Sequence, residues 1–228
     1  MQKKCGRRAS SVNIDDRPPI QLSQLLFPSG YRCMLCRRYR PLTAEGLCDE
    51  CRELMHPIHL AQMPPFVDSA VCAVGYNYDT RPAVSLMKQG DSVYFRYFAE
   101  HIEIPDEWRV ELLVPVPVHP MDFFLKGGFS PAEELSQKLS VLYGIPSVGR
   151  MVRKIKRTPQ QKSKDALERA SMGFDVFEAS PFCEGMTVAI VDDLCVTGTT
   201  LSRCAYALKQ AGAKRVFAIC AAIRRDYE

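Results

Sequence analysis

The densest chemistry in this chain is an Asp-Asp pair with three threonines and a glycine in the next seven residues: Asp192, Asp193, then Leu194, Cys195, Val196, Thr197, Gly198, Thr199 and Thr200. The apolar run 187–191 ahead of it reads as a buried parallel strand. Leu201, Cys204, Ala205, Leu208 and Ala211 after it repeat as one helix face, closed by Gly212. Ligands bind at the C-terminal ends of parallel strands. A helix N-terminus there offers free N–H groups and a positive dipole end to a phosphate. Gly198 lets the backbone approach the anion, and the threonines add hydroxyl donors. The two carboxylates can accept from sugar hydroxyls or face Mg²⁺. The competing reading is an Asp pair followed by an ordinary helix cap, which needs neither the glycine nor the repeated threonines.

A second constellation lies near the N-terminus. Cys33 and Cys36, then eleven residues, then Cys48 and Cys51 form two CxxC knuckles. Each knuckle can offer two sulfurs to one tetrahedral Zn²⁺, and four thiolates leave no open position, so such a zinc is structural. Metal binding would order a segment with almost no core of its own. Its removal should loosen residues 31–55 and spare the rest. The alternative, a redox dithiol, normally opens a helix in a thioredoxin-like unit. His56 and His59 lie nearby but are not needed as ligands.

The remaining elements must position these groups. Residues 67–78 read as a strand, 83–88 and 93–102 as helix interrupted at Gly90 and Asp91, 112–118 as a buried strand, and 216–223 as the last strand. Ser130, Pro131 and Glu133 are a helix start, with Ala132, Leu135, Leu139 and Leu142 as its apolar face and Gly144 as its stop. Pro57, Pro64 and Pro65 mark an extended linker. Strands alternating with helices indicate an α/β parallel sheet with right-handed crossovers.

The chain has 228 residues, 46% hydrophobic and 25% charged, with 30 Lys and Arg against 26 Asp and Glu for a net charge of +4. That excludes a collagen-like chain, a disordered acidic tail and a coiled coil. The charge is local. Between 150 and 169, Arg150, Arg153, Lys154, Lys156, Arg157, Lys162, Lys164 and Arg169 face only Asp165 and Glu168, a net of +6. Such a stretch can track a phosphate backbone or close over a polyphosphate, though it lacks aromatic residues for base stacking; a merely solvated loop is the alternative. Arg37, Arg38 and Arg40 could extend it. No apolar run reaches the length of a membrane span. The basic N-terminus lacks an apolar signal region, so the expected location is cytoplasmic, with reduced or metal-bound cysteines.

The Asp-Asp-x-x-x-Thr-Gly-x-Thr segment resembles the phosphoribosyl-pyrophosphate (PRPP) motif of type I phosphoribosyltransferases. Together with the cysteine knuckle, Lys88, the Val114-Pro-Val-Pro-Val-His-Pro120 run, Lys126-Gly-Gly-Phe129 and Thr158-Pro-Gln-Gln161, it resembles the ComF/GntX family over residues 31–225. The resemblance implies a flexible leader (1–28), a zinc-finger module (29–60) and a type I phosphoribosyltransferase-like domain of parallel sheet flanked by helices (61–228). It implies handling of imported single-stranded DNA in natural transformation, with DNA-uptake proteins as partners. Asp192 and Asp193 would hold the ribose hydroxyls of PRPP or ribose 5-phosphate with Mg²⁺. Cys195, Val196, Thr197, Gly198, Thr199 and Thr200 would cradle the 5′-phosphate. The loop after Val118 would form the pyrophosphate side with Lys88 and Lys126, under a hood carrying Lys156, Arg157 and Gln161. Where the family shows an arginine cluster before Gly-Phe, this chain has only Lys126; Val196 replaces a threonine and Met172 an asparagine. Pyrophosphate departure needs cationic stabilisation, so these departures touch turnover more than binding. An active phosphoribosyltransferase and a PRPP-sensing regulator are the alternatives.

Overall fold

The computed structural model describes residues 32–60, 63–125, 127–156 and 173–224. In chain order the elements are α1 (Asp49–Arg52), β1 (Ile58–His59), β2 (Ser69–Tyr76), α2 (Arg81–Lys88), α3 (Ser92–Glu100), β3 (Leu112–Pro115), α4 (Pro120–Leu125), α5 (Pro131–Tyr143), β4 (Val152–Lys154), β5 (Phe177–Ala179), β6 (Thr187–Cys195), α6 (Thr199–Gln210) and β7 (Arg215–Arg224). The leader, Lys126 and the basic residues 157–169, Arg157 and Gln161 among them, lie outside the described residues.

The main sheet runs β1-β2-β7-β6-β3. β2, β7, β6 and β3 are parallel, as their near-continuous apolar sequences predict. β1 is antiparallel, with Ile58 opposite Cys72. The expected linker therefore begins inside the sheet: a two-residue strand shields the edge of β2. On the far edge Ser147 bridges to Leu113, with Leu113 N–H donating to Pro146 O at 2.8 Å and Val148 N–H to Leu113 O at 2.9 Å.

Alternation along the strands builds two apolar layers. Ala189 and Val191 of β6 join α2, α3 and α5 on one face; Val188 and Ile190 join α6 and the β4–β5 hairpin on the other. α5 starts at Ser130, whose hydroxyl accepts from Glu133 N–H at 3.4 Å, and stops at Gly144 in the left-handed region (φ 67°). Leu135 and Leu139 are buried as expected, but Leu142 is 52% exposed, so the buried face ends a turn early. α4 forms where a loop was expected and buries none of its residues.

The cysteine module is not a free-standing appendage. Leu35, Leu47 and the four cysteines share one continuous core with Tyr94, Phe95, Tyr97 and Phe98 of α3. Each fully buried leucine stabilises this junction by about 2 kcal/mol.

The connections give the sheet a direction change. From β3 the chain crosses by α5 and returns along the outer edge of β3 at Ser147. From β6 it crosses by α6 on the opposite face to β7, on the other side. The β3–β6 boundary is therefore a topological switch point, and its carboxyl end is the crevice where ligands bind in such folds.

Candidate functional site

β6 overhangs its neighbour at this crevice. Its pairing with β3 ends at Pro115 opposite Val191, whereas pairing with β7 continues to Cys195 opposite Ile223. The overhang exposes one flank of the segment that carries both carboxylates. Strand alternation sends Asp192 to the α6 face and Asp193 to the helical face. There Lys88 Nζ, at the end of α2, lies 3.2 Å from Asp193 Oδ2. Asp192 Oδ1 accepts from the Asp193 N–H at 2.9 Å. Burial, and then the neighbouring Asp193 charge, push the Asp192 carboxyl well above the usual carboxylate range, with Lys88 partly offsetting them. Lys88 thus meets the carboxylate pair directly, through Asp193.

The turn after the carboxylates opens α6. Gly198 is its N-cap in the left-handed region (φ 63°). The first helical bond runs from Ser202 N–H to Gly198 O at 2.8 Å, so the N–H groups before it have no intrahelical partner, and that of Thr199 donates to Thr197 Oγ1 at 3.4 Å. Thr197, Thr199 and Thr200 are exposed, and the Thr197 and Thr199 hydroxyls are 2.9 Å apart. Cys195 is buried, its thiol pushed up by Cys220 and by burial and partly brought down by the Gly198 backbone N–H of the same loop. Val196 is half-buried.

Pro64, which the sequence marked only as linker, lies over this loop: a Cβ at Gly198 would sit 2.8 Å from Pro64 Cγ. Gly198→Ala therefore meets both a left-handed backbone penalty of about 1–2 kcal/mol and a ring that must move. The expected result is a melting temperature lower by several degrees and loss of phosphate binding, read by thermal denaturation and calorimetry. A variant that melts and binds like the parent would show that the loop does not need this glycine.

The other expected site residues divide. Phe129 packs beside Phe95 with ring centroids 6.0 Å apart and would lie 3.7 Å from a Cβ at Gly90. The α4–α5 loop thereby reaches the α2–α3 turn, close to Lys88. Lys156 forms an ion pair with Asp175. A cleft of about 510 Å³ opens between 115–118 and 147–150, lined also by Phe123, Ser130 and Glu133. It lies on the β3 side of the switch point, beside the loop expected to face pyrophosphate, and none of the residues 195–200 line it.

The four cysteines converge. The Sγ atoms of Cys33, Cys36, Cys48 and Cys51 all lie within 4.8 Å of one another, and all four residues are buried. Cys36 and Cys48 Sγ are 3.9 Å apart, close to the ~3.8 Å between ligands of a tetrahedral ion with 2.3 Å metal–sulfur bonds. The Cys48 N–H donates to Cys33 Sγ at 3.4 Å. Burial raises the Cys33 thiol, yet backbone N–H groups of Cys48, Cys36 and Leu35 bring it down to about 7, while burial pushes Cys51 up. The Tyr97 hydroxyl of α3 is buried without a hydrogen-bond partner, and the charges of Cys33 and Cys51 act on it. A donor left unsatisfied beside thiols fits a cluster that becomes thiolate on binding a metal ion. The sequence could not place Tyr97 here, because nothing local ties residue 97 to residues 33–51.

The knuckle arginines have structural partners. Arg37 donates to the Tyr94 hydroxyl at 2.9 Å, Arg38 pairs with Asp79, and Arg40 pairs with Glu50. They fasten the module to the sheet domain and to itself.

A family model described as the phosphoribosyl transferase domain matches residues 124–228. Competence protein F of Haemophilus influenzae is 22% identical over 224 residues, covering 82% of this chain and 94% of that protein. Among solved structures, the allosteric regulatory enzyme of purine biosynthesis aligns at 21% identity and a TM-score of 0.37, over 71% of this chain and 28% of its own. Glutamine PRPP amidotransferase from B. subtilis, complexed with ADP and GMP, aligns at 22% identity and 0.36, over 70% and 29%. The chain spans less than a third of either enzyme.

Proposed function

We propose that this chain, which is ComF-like and carries a phosphoribosyl transferase domain over residues 124–228, binds ribose 5-phosphate or PRPP with Mg²⁺ and acts in handling imported single-stranded DNA during natural transformation. The observation that carries the pocket is the meeting, at the sheet's switch point, of two carboxylates with a glycine-hinged helix start. The DNA role is supported by the likeness to Competence protein F.

In this reading Asp192 and Asp193 accept hydrogen bonds from the ribose 2′- and 3′-hydroxyls. The 197–200 turn holds the 5′-phosphate through N–H groups of α6 and through threonine hydroxyls. Lys88 holds Asp193 in place. Mg²⁺ would screen the charge of a pyrophosphate group lying between these carboxylates and the loop after Val118. Zn²⁺ on Cys33, Cys36, Cys48 and Cys51 would be structural. Among the described residues no helix is long and apolar enough to cross a membrane.

One observation favours a second reading, turnover as a phosphoribosyltransferase: the 510 Å³ cleft beside β3 has room for a second small ligand. Calorimetric titration of ribose 5-phosphate and of PRPP, each with Mg²⁺, tests the pocket. A pyrophosphate-release assay on the same sample tests turnover. Binding without release is the expected result. Release would make the chain a transferase, and absence of binding would reduce the motif to scaffold.

A further inference from the structure

Phe66, Phe174 and Tyr206 come from three distant parts of the chain and meet beside α6. Their ring centroids are 5.2 Å (Phe66–Phe174), 5.1 Å (Phe66–Tyr206) and 5.0 Å (Phe174–Tyr206) apart. Phe66 is 44% and Phe174 40% exposed, so the cluster forms part of the surface. Phe66 also holds a left-handed backbone (φ 69°), which is unusual for a bulky residue and marks a conformation the surroundings impose. The imposing turn is short: Val67 N–H donates to Pro64 O at 3.1 Å. The same Pro64 lies against Gly198. One loop therefore touches the phosphate turn with Pro64 and the aromatic cluster with Phe66.

α6 joins the two from the other side. Thr199, Arg203 and Tyr206 stand at i, i+4 and i+7, along one stripe of the helix. The stripe is about 10 Å long at 1.5 Å per residue. At its far end Lys156 pairs with Asp175, the neighbour of Phe174, and Lys154 Nζ lies 5.9 Å from the Phe177 ring centroid. In order along the surface stand the 197–200 turn, a guanidinium and aromatic rings, with Lys154 and Lys156 beyond them and Asp175 set between Lys156 and Arg203. A protein partner has no need of this order. A single strand does, because its phosphates seek cations while its bases stack on rings.

We propose that this stripe seats the 5′ end of a single-stranded nucleic acid: the terminal phosphate enters the 197–200 turn and the first bases stack on Phe66, Phe174 and Tyr206. It rests on the reading of that turn as a phosphate site and extends it to a polymer. Stacking on aromatic side chains contributes about 1–3 kcal/mol per base.

The test is fluorescence anisotropy of 3′-fluorescein oligodeoxythymidine, with either a 5′-phosphate or a 5′-hydroxyl, on the full chain and on Phe174→Ala. Ribose 5-phosphate calorimetry is run on both proteins as the check on folding. The 5′-phosphorylated oligomer is expected to bind more tightly and to be displaced by ribose 5-phosphate. Phe174→Ala should weaken it roughly 5- to 100-fold, leave its salt slope unchanged, and leave ribose 5-phosphate binding intact. Equal binding of the two 5′ ends, or no effect of Phe174→Ala on the oligomer, overturns the proposal even where ribose 5-phosphate binds. Conversely, a 5′-phosphate preference that depends on Phe174, in a protein that does not bind free ribose 5-phosphate, supports the stripe and overturns the sugar pocket alone. Oligouridine of equal length separates an RNA from a DNA occupant.

Discussion

Asp192→Asn and Asp193→Asn should each weaken ribose 5-phosphate binding by at least about tenfold, and only the first should raise stability near neutral pH. Hydrogen bonds to a charged group contribute about 1.5–3 kcal/mol each, and 1.4 kcal/mol is a factor of ten. Asparagine keeps one acceptor oxygen but loses the charge and turns the other position into a donor, so a hydroxyl that donated to that oxygen loses its acceptor. Stability separates the two residues. The Asp192 carboxyl is raised well above its usual range by burial and by Asp193. A raised folded-state pKa means that the unfolded chain gives up the proton first. The group therefore destabilises the fold increasingly as pH climbs from the ordinary carboxylate range towards the folded value, and has no effect below both. Asp192→Asn should thus melt higher than the parent near neutral pH, and the gap should close as pH falls to about 4. Asp193→Asn removes the partner of Lys88, 3.2 Å away, and should melt at or below the parent temperature. Melting curves at pH 4 and pH 7.5, beside calorimetry, read all of this. Parent-like binding by both variants would refute the sugar-binding role. A stabilised Asp192→Asn that no longer binds would mark Asp192 as a residue kept for function at a cost to the fold.

The strand, turn and helix start that carry Asp192, Asp193 and Gly198 were legible because their parts are contiguous. Strand, carboxylates, glycine and helix fall within one run of the chain, so alternation, helix period and turn chemistry each acted on neighbours. The cysteine cluster was legible for the same reason, since two CxxC turns fix two pairs locally. What escaped was contact between distant segments. Pro64 over Gly198, Lys88 on Asp193 and Tyr97 beside the cysteines each depend on how the layers stack, which no local pattern reports. Leu142 shows the same limit in a helix. Its spacing places it on the face of Leu135 and Leu139, but a periodic pattern does not say where the layer beneath ends. The extended linker failed for a related reason. Prolines mark where a helix cannot run, yet Ile58 and His59 between them still find the free edge of β2. The knuckle arginines read as a patch by charge, whereas Tyr94, Asp79 and Glu50, which hold them, are supplied by the fold.

That shared packing sets the size of the second large effect. Chelation of freshly purified, reduced protein should lower the melting temperature by more than about 10 °C, and should loosen α3 along with residues 32–55. From sequence the module looked separable. In the fold Leu35 and Leu47 share one buried cluster with Phe95 and Phe98, so a metal bound by the cysteines would hold one side of a core that continues to β2 and β7. Without an ion, four thiols packed within 4.8 Å must stay largely protonated, and Tyr97 has no acceptor beside it. With one, the thiolates neutralise the ion, and the thiolate charge that acts on the Tyr97 hydroxyl is offset by the metal. Binding free energy of structural zinc is folding free energy, and a loss of 4–5 kcal/mol would displace the transition of a domain of about this size by roughly 10–20 °C. Proton competition gives the sign of the pH effect: burial raises Cys36 and Cys51, so the affinity must fall as pH drops. Hydrogen exchange distinguishes the two pictures of the module. Faster exchange in α3 on chelation is the signature of a shared core. Exchange confined to residues 32–55 would restore the separable module, and a fresh preparation without zinc, or one whose melting ignores the chelator, would remove the metal from the account.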